Sequence, residues 1–108
     1  MVTAESIAEN LPVVIYADIY DAESESKYLK FIECVANGAV DKLSPQELSS
    51  FNKELQAFSE KVDQAMGNME LILQSGPPRP STELIGFIKT LQPIIEGCEK
   101  KLGIRVEF

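Results

Sequence analysis

The chain has 108 residues, 44% of them hydrophobic and 25% charged, with a net charge of −7; these are the values of one globular domain, residues 1–108. It contains no His and no Trp, which removes most hydrolytic triads, most general-base schemes near neutral pH and most transition-metal sites. No apolar run approaches the ~20 residues of a membrane span, and no basic residue precedes Lys27, so neither a membrane partner nor a leader peptide is expected and the default compartment is cytoplasmic.

In chain order, the first expected element is a short helix from Ala4 to Asn10, capped by Thr3 and ended before Pro12. The segment "VVIYADIYDAESES" (Val13 to Ser26) is ambiguous. As a strand it alternates poorly, because Val14 spoils the polar face. As a helix it aligns Val13, Tyr16, Ala17 and Tyr20 on one side and Asp18, Asp21 and Glu25 on another. The helical reading is preferred and would run without a break into the helix of "SKYLKFIECVANG", which Gly38 is expected to end. Against it stand the β-branched residues Val13 to Ile15.

"SPQE" at 44–47 carries a helix start: Ser44 as cap, Pro45 in the first turn, Glu47 closing a capping box. Apolar residues then recur at Leu48, Phe51, Leu55, Phe58, Val62, Ala65 or Met66, Met69 and Ile72 in steps of three and four, a near-heptad stripe. Gly67 and Asn68 predict a weak point, and "SGPPRPS" ends the run at Gly76. Ser81 or Thr82 caps a last helix with a broad apolar stripe, expected to be the most buried of the set. Pro93 should kink or split it near Thr90 to Gln92, and Gly103 should end it. The tail "IRVEF" alternates like a strand.

The expected fold is therefore all-α: an antiparallel bundle of three long helices plus a short N-terminal helix. The alternative is α+β, with residues 13–20 and 104–108 forming a small two-stranded sheet.

Charge is unevenly spread. Residues 1–26 hold six acids and no base, whereas residues 27–108 hold eleven acids and ten bases. Nucleic acid is excluded as a partner, since phosphate binding needs a basic footprint. A basic protein surface fits. Its docking residues would be Tyr16, Asp18, Tyr20, Asp21, Glu23 and Glu25, with the tyrosines adding aromatic contact. The plainer reading is a solvated acidic face. A calcium loop lacks its central Gly and a dinuclear carboxylate site lacks its His, so no metal, cofactor or catalytic residue is assigned.

Cys34 and Cys98 fall on apolar faces and are expected as buried, inert thiols; a bundle that brought them to one pole would allow a disulfide. The "PPRP" segment has the spacing of an SH3 ligand but reads better as a helix connection, and the "VEF" ending could serve as an added strand only if it were free. The function that follows is a small non-enzymatic interaction module, an adaptor, chaperone or inhibitor, that docks on a basic partner. The competing function is a regulatory domain binding a small ligand or divalent cation. The stripe on 48–72 also suits homodimerisation through the helix at 45–75.

Overall fold

A computed structural model describes residues 2–15 and 19–106. The elements are α1 (Ala4–Asn10), a 3-10 turn (Leu11–Val13), α2 (Ala22–Lys42), α3 (Pro45–Gly67), α4 (Met69–Ser75), α5 (Thr82–Thr90) and α6 (Gln92–Leu102). The fold is all-α. The described parts of 13–20 and 104–106 contain no strand; residues 16–18 and 107–108 of those two segments lie outside the described residues.

Most helix ends follow from local chemistry. The Thr3 hydroxyl accepts from the Ser6 amide at 3.3 Å and starts α1. Ser44 and Glu47 form the reciprocal box read from "SPQE", with bonds of 3.2 and 3.0 Å. The Ser81 hydroxyl accepts from the Leu84 amide and starts α5. At Asn68 the backbone becomes extended (φ −142°, ψ 91°) and divides the long stripe into α3 and α4. Leu91 separates α5 from α6, so Pro93 falls in a first turn, where its missing N–H leaves no bond unmade. Gly103 takes the left-handed conformation (φ 65°) and ends α6.

Two helix boundaries differ from expectation. The described residues of 13–20 do not join α2: the 3-10 turn ends at Val13, and α2 begins after Asp21, which is its N-cap. Gly38 does not end α2, which continues through it to Lys42. A Cβ at Gly38 would collide with the Ile94 side chain of α6. That glycine serves close approach of two helices, not termination.

The short first helix is structurally central. It packs on both α2 and α3, while α2 packs against α6 and α3 against α5. Ile7 is fully buried, and Leu11, Val14 and Ile15 are nearly so. They join Phe31, Val35, Ala39, Phe51, Leu55, Leu84, Leu91 and Ile95 in one core. Two polar bonds fix this insert. The Asn10 amide donates to Asn52 Oδ1 of α3 at 3.1 Å, and the Tyr28 hydroxyl of α2 donates to the Ile15 carbonyl at 2.7 Å. Because α1 fills the centre, α5 and α6 lie outside it. Their stripe is only partly covered, with Leu84, Ile95 and Cys98 buried but Ile85 exposed. The last helix is thus not the most buried.

The cysteines are not free thiols. Cys34 of α2 and Cys98 of α6 form a disulfide across 64 residues, with Cα atoms 6.0 Å apart. One turn along each helix, Gly38 meets Ile94. The pairs 34 with 98 and 38 with 94 run in opposite directions along the two helices. The glycine lets the backbones approach closely enough for the sulfurs to meet.

Candidate functional site

The acidic region is built around the start of α2. The Asp21 carboxylate accepts from the Ser24 amide at 2.8 Å, and the Ser24 hydroxyl accepts from the Asp21 amide at 3.1 Å. This capping box satisfies helix-end donors that would otherwise lack partners. The bond from the Ser24 amide, aided by the Ser24 side chain, holds the Asp21 carboxyl below its ordinary pKa. Glu23 and Glu25 occupy the first turn of α2, where acids complement the positive end of the helix dipole. Glu23 also pairs with Lys27 Nζ at 3.5 Å.

Part of the acid excess therefore has a local structural role. Glu5 sits in the first turn of α1, and Asp21, Glu23 and Glu25 sit at the start of α2. Asp21 lies before α2 as its N-cap, whereas Glu25 lies within it, so these two do not share the expected helical stripe. Tyr16 and Asp18 lie outside the described residues. The missed signal was "DAES": an Asp followed three positions later by Ser, the same grammar as "SPQE".

What remains at the surface is specific. Tyr20 is 82% exposed, and Asp21, Glu23 and Glu25 are exposed around it. Tyr20, Asp21, Glu23 and Lys27 form one wall of a cleft of about 400 Å³, and Gly103, Ile104 and Arg105 form the other. The left-handed Gly103 turns the chain after α6 back toward α2. Ile104 and Val106 are partly buried against the core, and the Val106 amide lies 3.5 Å from Glu99 Oε2. The tail up to Val106 is thus packed; Glu107 and Phe108 lie outside the described residues. Among the described residues, no three Cys, Asp or Glu side chains converge on a metal-sized site.

A second surface is apolar. Val14, Phe58, Pro78, Pro80, Ile85 and Ile88 line a groove of about 450 Å³, with Lys89 at its rim. Pro78 and Pro80 therefore belong to a groove wall and are not displayed as a free proline-rich ligand. The stripe on 48–72 divides in two. Leu48, Phe51, Leu55 and Phe58 are buried in the molecule's own core, whereas Met66 and Met69 are exposed. No described helix is long and apolar enough to cross a membrane.

No protein-family model matches the sequence, and neither a curated protein nor a solved structure matches the chain.

Proposed function

We propose that the chain is a small non-enzymatic interaction module that docks on a basic protein surface through Tyr20, Asp21, Glu23 and Glu25, together with Tyr16 and Asp18. The observation that carries this reading is Tyr20, an aromatic ring 82% exposed among three exposed carboxylates. A lone exposed ring has no folding role, and a ring beside acids suits Lys and Arg: the acids steer the encounter and the ring adds cation–π contact. Lys27 and Arg105 border the same cleft, so a basic partner would compete with the chain's own cations there.

The test is capture of partners at low and moderate salt, followed by mass spectrometry, with the wild-type chain and an Asp21→Asn, Glu23→Gln, Glu25→Gln variant. Asn is as good an N-cap as Asp, so this variant keeps the start of α2. Binding should weaken with salt and be lost in the variant. Partners retained under both changes would refute the reading. As for compartment, the Cys34–Cys98 bond favours an oxidising environment over the cytoplasm expected from sequence. Thiol alkylation of freshly lysed cells, with and without prior reduction, distinguishes the two.

A further inference from the structure

Two apolar features of this molecule face solvent and share no residue among those described. One is a ridge where α3 passes into α4. Met66, Met69 and Leu73 are 74%, 68% and 82% exposed. Met69 and Leu73 are four apart on α4 and share a face; α4 rests chiefly on α3. The other is the groove floored by Val14 and Phe58 and walled by Pro78, Pro80, Ile85 and Ile88. The ridge carries Glu70 beside Met69, and the groove carries Lys89 at its rim.

The geometry points to reciprocal self-association, in which the Met66–Met69–Leu73 ridge of one copy enters the Phe58–Ile85–Ile88 groove of a second. One exchange of this kind, repeated about a twofold axis, covers both features on both copies. A small apolar ligand would cover the groove alone and leave the ridge in water. The mode is a helix laid in a groove, with unbranched methionines that adapt to its walls. The charges agree. Glu70 of one copy is opposite in sign to Lys89 of the other, and most of the excess negative charge sits in residues 1–26, whose contribution to the groove lining is the apolar Val14. Residues 27–108 carry a net charge of only −1, from ten bases and eleven acids, so two copies meeting here are not strongly repelled. This interface uses neither Tyr20 nor its acids, so its test is independent of any basic partner.

Sedimentation equilibrium of the intact chain, from low micromolar to millimolar, measures the association. The wild type should pass from monomer to dimer. Leu73→Glu removes the ridge and Ile85→Glu the groove. Both positions are exposed, so both variants should keep the wild-type circular dichroism spectrum while associating about tenfold or more weakly. Mixing them should restore one of the two contacts, because the intact ridge of one still finds the intact groove of the other, so the mixture should associate more tightly than either variant alone and less tightly than the wild type. As a second pair, Glu70→Lys and Lys89→Glu should each weaken association, and the double variant should recover it. A strict monomer at millimolar concentration overturns the inference, including one whose groove takes up an apolar small molecule. So does a dimer indifferent to both variants, or a mixture that associates no more tightly than either variant alone.

Discussion

The two flanks of the molecule are held to the two long helices, α2 and α3, by different chemistry. On one flank, α6 is joined to α2 by the Cys34–Cys98 bond, with Ile94 set against Gly38 one turn away. On the other, α5 lies on α3 through non-covalent contacts. The Phe51 and Phe87 rings are 5.4 Å apart, and the Ser81 hydroxyl donates to Glu54 Oε2 at 2.6 Å. The first flank has a covalent lock at a close backbone approach. The second depends on ring packing and one charge-assisted bond. A helix broken at Leu91 can serve both because each half has its own anchor.

The largest effect that tests this contrast is loss of the disulfide. Closing a 64-residue loop lowers the entropy of the unfolded chain by an amount worth about 4 kcal/mol. Reduction, or Cys34→Ala with Cys98→Ala, should lower the melting temperature by about 15 °C or more. Hydrogen exchange should then show α6 opening before α5. Equal opening of both halves would break the contrast. Next comes Gly38→Ala. The new methyl meets the branched and therefore stiff Ile94 side chain. Overpacking costs about 1–3 kcal/mol and is offset by about 1 kcal/mol of better helix propensity. Urea titration should show a net loss, relieved by Ile94→Ala in the same chain; a stabilised variant would mean that this flank has slack.

On the other flank, Glu54→Ala removes the acceptor of the Ser81 hydroxyl and should cost about 1 kcal/mol. Faster amide exchange should be confined to the start of α5. The smallest effect concerns acid, and it compares the starts of the two long helices. Ser24 holds Asp21, and Ser44 holds Glu47, below their ordinary values of 3.8 and 4.5. The unfolded chain therefore takes up these protons first. The stability they provide is present above those values and is lost as pH falls through the lower folded ones. Far-ultraviolet circular dichroism should show helix loss below about pH 4. Asp21→Asn, which caps without titrating, should make that loss shallower at α2 while leaving α3 unchanged.

Sequence reading succeeded where a residue acts on its own turn of chain. "SPQE", Asn68, Pro93 and Gly103 start or stop helices through backbone chemistry that neighbours three or four positions away complete. It failed where a residue answers to something distant. Gly38 looks like a terminator until Ile94 is seen to need its missing side chain. For Cys34 and Cys98 sequence favoured core thiols and left a disulfide as the alternative, and the packing of α2 against α6 decides for the bond. The acids were legible as a charge imbalance. Their division into caps and first-turn residues was not, because the helical alignment of 13–20 hid the "DAES" start. Tyr20 was singled out by type, but its exposure depends on where α2 begins, and that boundary was misplaced.

The insertion of α1 between α2 and α3 bears on how the molecule is assembled. Ile7 and Leu11 are made before either of the long helices that bury them, so they remain without an apolar environment until residues as far along as Asn52 have been synthesised. The first of these helices to be translated is among the last to find its place. Until then its site is an open seam along both long helices. Any factor holding the nascent chain would meet that seam, lined by Phe31, Val35, Phe51 and Leu55, rather than the finished surface.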